Sequence, residues 1–255
     1  MVNPTFFAFV SNVAPQARGQ VIESLATELA MMDSARPVLV NLDPGSTLRI
    51  KTGRSSREDP IARYGNTLGS SGIPVLKPIE AANFFDDAAK PRNAAMSDAR
   101  VFISLMNQAP LPDAIPLFDA LCFAVTINPA STAFVYGAIK AMETAGKNIP
   151  IRILVVGEPR IEKTAEFYVA MTGEFRNVGK NFGDLTYSGF MAFDPEESAL
   201  ASSYGKSTIE AFPEGLTRGQ AKQAVPKIFA RDFSELCADW AERERAYSRF
   251  LLSAK

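Results

Sequence analysis

Short apolar runs alternate with stretches of helical periodicity along most of the chain. Thr5–Ser11 is a continuous β-rich run, and Gln20–Met32 puts Val21, Leu25, Leu29 and Met32 on one helical stripe. Pro37–Asp43 reads as a second buried strand, closed by the turn signal Pro44-Gly45-Ser46. Residues 46–70 are polar and rich in Arg, Ser and Gly, which predicts an irregular surface excursion. Ile73–Leu76, Arg100–Met106, Ala120–Ile127, Ile151–Val156 and Leu185–Phe193 are further apolar strands. Thr132–Thr144 and Glu162–Thr172 fall between them as helices. Asp194-Pro195-Glu196-Glu197 opens another helix, with carboxylates at its positive end. Strands that are apolar throughout and separated by helices predict an α/β fold: a doubly wound, mostly parallel sheet with helices on both faces. No repeat or low-complexity linker interrupts residues 1–255, which are expected to form one domain with a C-terminal amphipathic helix at about 228–252.

Composition narrows the function classes. The chain has 255 residues, 47% apolar and 22% charged, enough to bury a full core. A net charge of −1 gives no global attraction to nucleic acid or anionic membrane. No apolar run approaches the roughly 18 residues that span a bilayer. Met1-Val2-Asn3-Pro4-Thr5 lacks the basic start of a secretory signal, so a cytoplasmic protein is expected. Histidine is absent, which removes Ser-His-Asp and Cys-His catalysis and the commonest metal ligand. With only Cys122 and Cys237, far apart, no zinc site is expected, and Cys122 reads as a buried thiol.

The segment Phe6–Val21 is laid out as strand, short loop and helix, the frame of a phosphate-binding loop. Such a loop needs glycines whose N–H groups converge on phosphate, a Lys for the β/γ-phosphates and a Ser or Thr for magnesium. Here Pro15 removes an N–H, Arg18 stands at the Lys position and Gly19 at the hydroxyl position. Arg18 also has a plainer reading as an exposed residue in the first turn of a helix, and Asp43 as a turn cap ahead of Pro44-Gly45.

These residues resemble the MinD/ParA group of deviant Walker ATPases, and within it the branches of the flagellar-number regulator FlhG (FleN) and of cellulose export (BcsQ-like). The family's first motif, K-G-G-x-x-K-[ST], falls on Val13-Ala14-Pro15-Gln16-Ala17-Arg18-Gly19, so Val13 takes the place of the signature Lys. Its second motif, D-x-D-P, matches Asn41-Leu42-Asp43-Pro44 with one carboxylate replaced by an amide. The third, an apolar strand ending in Asp before a Pro-rich loop, falls near Val101–Met106 and Ala109–Pro112 without its Asp. Ala124–Thr132 resembles the strand, Pro turn and helix cap that follow, and Gly157 stands where an Asn reads adenine. Tyr187–Pro195 is similar to the G-x-I-x-x-D-P segment.

The resemblance implies a P-loop NTPase fold in which Val13, Pro15, Arg18, Gly19, Asn41 and Asp43 are vestigial nucleotide-loop positions. It further implies a pseudo-ATPase with no catalytic residue, metal or required cofactor, working through protein contacts on a bacterial envelope machine. Flagellum, pilus, secretion system and exopolysaccharide synthase are equally open. Residual binding of a nucleotide or another anion at the helix N-terminus near Arg18 stays open. So does the alternative of an active ATPase with a rearranged, non-consensus site. Family members dimerise through the nucleotide face; with Val13 in place of the signature Lys, any homodimer or heteromer with a paralogous ATPase is expected to form without ATP.

At the C-terminus Phe229, Phe233, Leu236, Trp240 and Tyr247 recur at helical spacing between mixed charges. Packing on the chain's own domain is the expectation, with partner or membrane docking as alternatives. Inner-membrane or polar recruitment would then run through a partner, because membrane-surface helices favour Lys and Arg over mixed charge. Arg49, Lys51, Arg54 and Arg57 lack interleaved aromatics and read as a solvated loop, not a nucleic-acid contact.

Overall fold

The structure, a computed structural model, describes residues 5–32, 35–51, 61, 64–69, 71–88, 100–146, 148–178, 185–229 and 240–253. Among the described residues nine strands form one sheet: β1 (Thr5–Ser11), β2 (Arg36–Asn41), β3 (Ile50–Lys51), β4 (Asn66–Leu68), β5 (Ile73–Leu76), β6 (Arg100–Met106), β7 (Ala120–Val125), β8 (Ile151–Val156) and β9 (Leu185–Met191). Their order is β3-β4-β5-β2-β6-β1-β7-β8-β9. Every pair from β5 across to β9 is parallel, and β3 and β4 add an antiparallel margin beside β5.

The apolar runs are continuous because both faces of these strands are covered. Phe6, Ala8 and Val10 enter one core, while Phe7 and Phe9 enter the other. The first core is closed by α2 (Pro78–Ala88), α3 (Pro129–Ala145), α4 (Ile161–Asn177), α8 (Trp240–Ser253) and a 3-10 helix (Pro112–Leu117). The second is closed by α1 (Pro15–Met31), α6 (Thr208–Ala211) and α7 (Leu216–Ile228), with α5 (Pro195–Ser203) leading into them. The chain winds outward from β1 to β2 and β5, returns to β6, then proceeds through β7, β8 and β9. Right-handed crossovers in these two directions put their helices on opposite faces.

Three expectations need correction. Helix α1 begins at Pro15, not near Arg18 or Gln20, because proline at the first helical position needs no N–H partner. Residues 46–70 are not wholly a surface excursion: β3 and β4 pair there, and Ile61 and Leu68 are buried. The predicted single helix at 228–252 is two separate elements on opposite faces. Ile228 ends α7 and Phe229 is its C-cap residue, whereas α8 starts at Trp240. Helices α2, α6 and α7 had no counterpart in the sequence reading.

Candidate functional site

The carboxyl end of β1 is where a sheet of this winding binds ligands. Since α1 starts at Pro15, the connection from Ser11 is three residues long: Asn12, Val13 and Ala14. The Val13 N–H donates to the Ser11 hydroxyl (3.2 Å), and the Arg18 N–H donates to the Ala14 carbonyl (2.9 Å). Asn12 Nδ2 donates to Ser131 Oγ (3.2 Å), which ties the connection to the first turn of α3, where Asn128 caps.

Arg18 is buried, contrary to its reading as an exposed helix residue. Its guanidinium donates to the Ser11 carbonyl (Nη1, 3.2 Å) and pairs with Asp43 (Nη2 to Oδ2, 2.5 Å). Asp43 therefore does two things. One oxygen accepts the Gly45 N–H at 3.0 Å, as its reading as a turn cap expects, and the other holds Arg18. Asn41 braces the same turn: its amide nitrogen donates to Ser46 Oγ (2.7 Å) and its oxygen accepts from the Asp43 N–H (3.2 Å).

Beyond this turn the chain lies along α1 as a strap. Thr47 Oγ1 donates to the Pro15 carbonyl (2.9 Å) and crowds Gly19 so closely that a Cβ there would approach Thr47 Oγ1 to 2.8 Å. Arg49 then reaches Glu23 three times: through its backbone N–H (2.6 Å), through Nε (2.9 Å) and through Nη2 (2.8 Å). Its Nη1 donates to the Lys206 carbonyl (2.7 Å). Positions 15, 18, 19 and 23 share one stripe of α1, so three successive turns of the helix are bridged. Burial raises the Glu23 carboxyl above its ordinary range despite the Arg49 charge and hydrogen bonds that pull it down. The basic stretch is thus not a solvated loop at Arg49; Arg54 and Arg57 lie outside the described residues, as does the Lys51 side chain. Thr47 and Glu23 have no place in the sequence reading, and Arg49 appears there only as part of a solvated loop. Glu23 on the polar side of a helical stripe gave a faint signal, and Thr47 gave none.

The fit to a magnesium–triphosphate can be tested atom by atom. Pro15 has no N–H, the Arg18 N–H is bonded within the helix, and the Arg18 side chain is held by Asp43. Thr47 fills the space beside Gly19, and Val13 is a buried apolar side chain with no charge to offer a phosphate. At the adenine position Gly157 has φ +91°, in the left-handed region that favours glycine, and its N–H donates to the Met191 carbonyl (2.9 Å). Beside it Arg160 hydrogen-bonds Glu158 bidentately (2.7 and 3.1 Å) and holds that carboxyl down to about 2. At Pro15, Arg18 and Gly19 the groups that a magnesium–triphosphate would use are therefore absent or already engaged. Among the described residues no cluster of His, Cys, Asp and Glu is placed to hold a metal, and no helix is long and apolar enough to cross a membrane.

The C-terminal candidates separate. Phe229 packs edge-on against Phe7 (5.0 Å between centroids), and Tyr247 is fully buried against Phe6 (4.5 Å) with its hydroxyl 2.5 Å from Ser104 Oγ. Both belong to the core, which withdraws them as partner or membrane contacts. Phe233 and Leu236 lie outside the described residues, as does the Trp240 side chain. Cys122 is buried as expected, and burial pushes its thiol well up.

No protein-family model matches the sequence, and a search of curated proteins finds no relative. Solved structures do match. A ParA family ATPase from Chlorobium tepidum superposes with a TM-score of 0.59 at 12% identity, over 89% of this chain and 99% of that one. A chain of the MinC:MinD cell division complex from Aquifex aeolicus gives 0.58 at 11%, over 91% and 99%. McdA from Cyanothece, in an ATP complex, gives 0.54 at 12%, over 93% and 100%. At such identities the likeness speaks for the fold alone. The chain has the P-loop NTPase fold of the MinD and ParA proteins.

Proposed function

We propose that this chain is a catalytically inactive relative of the MinD and ParA ATPases that acts through protein contacts. On this reading it regulates or positions a bacterial cell-envelope machine: a flagellum, pilus, secretion system or exopolysaccharide synthase. It needs no nucleotide, works in the cytoplasm, and reaches the inner membrane or pole through its partner. Homodimers, or heteromers with a paralogous ATPase, form without ATP. The MinC:MinD neighbour shows that this fold is found in assemblies with a second protein, and the envelope role is carried over by analogy.

The observation that supports inactivity is the buried pair of Arg18 with Asp43. A nucleotide recruiting Arg18 must first strip it from Asp43. Breaking a buried pair by removing one partner costs on the order of 3–5 kcal/mol, roughly a hundredfold or more in affinity. The three-residue connection then offers few N–H groups in return.

Titration of the whole chain with mant-ATP and magnesium, with Arg18→Ala as comparison, tests this. The expected result is no saturation up to millimolar nucleotide for either protein. Saturable micromolar binding that Arg18→Ala abolishes would sink the proposal and restore the active ATPase.

A further inference from the structure

Helix α1 is buried all round, but its two sides are covered differently. Val21, Leu25 and Leu29 share one stripe and enter the core. Gln20, Ser24 and Thr27 recur at i, i+4 and i+7 on another stripe, turned away from the first. The short helix α6 packs against α1. Glu23 lies one turn from both Gln20 and Thr27, and the Glu210 charge on α6 disfavours its ionisation. This places α6 over the polar stripe, where Thr208 and Ile209 are its buried residues.

The covered stripe gains little from its cover. Gln20, Ser24 and Thr27 are 4%, 0% and 2% exposed. Gln20 Oε1 and Nε2, Ser24 Oγ and Thr27 Oγ1 nevertheless have no hydrogen-bond partner among the described residues, and neither has Thr208 Oγ1 on α6. Water would serve all five atoms if α6 lifted, so each of them opposes closure. The like charges of Glu23 and Glu210 oppose it as well. Against them α6 sets one fully buried apolar side chain, Ile209. Its remaining attachments lie at its ends. Before it, Gly205 has φ +65° and the Lys206 carbonyl receives Arg49 Nη1 (2.7 Å). After it, the Gly215 N–H closes a turn on the Phe212 carbonyl (3.0 Å). Between these turns a reciprocal Ser207–Glu210 capping box keeps α6 helical without help from α1.

The geometry points to residues 205–215 as a flap that swings off α1 as a unit, hinged at Gly205 and Gly215, while the sheet and its other helices stay folded. The two glycine turns absorb the change in backbone direction, and the capping box carries α6 through it as a formed helix. Ile209 and the link from Arg49 to the Lys206 carbonyl favour the closed form. The five unpartnered atoms favour the open one. Opening presents an uncharged stripe of donors and acceptors on α1 that the closed form hides. The flap is independent of the nucleotide question, since Arg18 and Asp43 pair on a different side of α1.

Thiol labelling of the full chain tests this. Ser24→Cys puts a thiol under the flap, Cys122 inside β7 reports global unfolding, and Cys237→Ser removes the third thiol. Iodoacetamide under native conditions, read by mass spectrometry, should label position 24 about a hundredfold or more faster than Cys122, because a sub-global opening costs less than the global one. Ile209→Ala should speed labelling at position 24 about tenfold or more. Thr27→Val removes one unpartnered hydroxyl from the closed form and should slow it about fivefold. Tyr247→Phe, on the opposite face of the sheet, should speed labelling of Cys122 and leave position 24 unchanged. Should Ser24→Cys fail to fold by circular dichroism, Thr27→Cys takes its place, with Ser24→Ala as the slowing variant. Labelling at position 24 no faster than at Cys122 overturns the proposal. So does indifference to Ile209→Ala, faster labelling in Thr27→Val, or a response to Tyr247→Phe that follows Cys122. None of these results touches the inactive-site reading, which the nucleotide titration decides separately.

Discussion

The two faces of the sheet are built on different principles. On the face covered by α2, α3, α4 and α8 the core contains a connected set of rings: Phe6, Phe84, Phe85, Phe102, Phe118 and Tyr247. The Tyr247 hydroxyl in their midst is paired with Ser104. On the other face α1 is buried from Ala17 to Leu29, although Arg18, Gln20, Glu23, Ser24, Thr27 and Glu28 lie within that span. Its three charges meet partners from distant segments: Asp43, Arg49 and Arg218. Its neutral groups fare worse, since the Gln20 amide and the Ser24 and Thr27 hydroxyls have no hydrogen-bond partner among the described residues. Both faces bury an apolar core, and the α1 face adds long-range charge pairing to it.

The largest test of this contrast removes a charge. Arg18→Ala leaves Asp43 buried and unpaired, with an expected loss of about 3–5 kcal/mol in urea unfolding. Arg18→Met combined with Asp43→Asn should recover most of it, because no charge stays buried and the Asn oxygen still receives the Gly45 N–H. A loss below about 1 kcal/mol for Arg18→Ala would put the pair in the class of screened surface bridges and erase the contrast.

A smaller effect is expected on the aromatic face. Tyr247→Phe keeps the ring and removes one buried hydrogen bond, worth about 1 kcal/mol. It also changes the alkaline limb. Burial raises the Tyr247 phenol above its ordinary value of 10. The phenol therefore ionises more readily in the unfolded chain, and the stability it gives below pH 10 is lost as pH rises beyond that value. Urea midpoints at about pH 9 and about pH 11 should fall less in the variant than in the parent. Some slope should persist, since burial raises Tyr168 and Tyr187 as well. Identical slopes in parent and variant would count against a buried, hydrogen-bonded Tyr247.

The smallest change carries the opposite sign. Gln20→Met replaces two unpartnered buried amide atoms with a chain of similar length, and a gain of about 1 kcal/mol is expected. A comparable loss would mean that ordered water already satisfies the amide, making the α1 face less frustrated than its side chains suggest.

How far the chain could be read from its sequence differs along the same divide. β1, β2, β5, β6, β7 and β8 were legible as apolar runs, since a strand covered on both faces must be apolar at every position. The layout of the carboxyl edge was legible too: Val13, Arg18, Asn41 and Asp43 lie around the carboxyl ends of β1 and β2. What the Arg18 side chain does there was not. An arginine in the first turn of a helix looks exposed until something covers it, and here that is Asp43, at the far end of β2. The C-terminal segment failed for a related reason. Phe229 and Tyr247 fit one helical period on paper, yet a periodic pattern does not say which core each residue enters.

By itself, then, the sequence determined the long parallel strands, the helices α1, α3, α4 and α5, the doubly wound class and the absence of histidine chemistry. These follow from local periodicity and residue type, which need no knowledge of distant neighbours. Only the tertiary structure decided that Arg18 is paired with Asp43 and that Arg49 clamps Glu23 to the α5–α6 turn. Each of those outcomes depends on which far-apart segments the winding of the sheet brings within hydrogen-bond reach, and a charge buried on α1 is tolerable only because that winding delivers its partner.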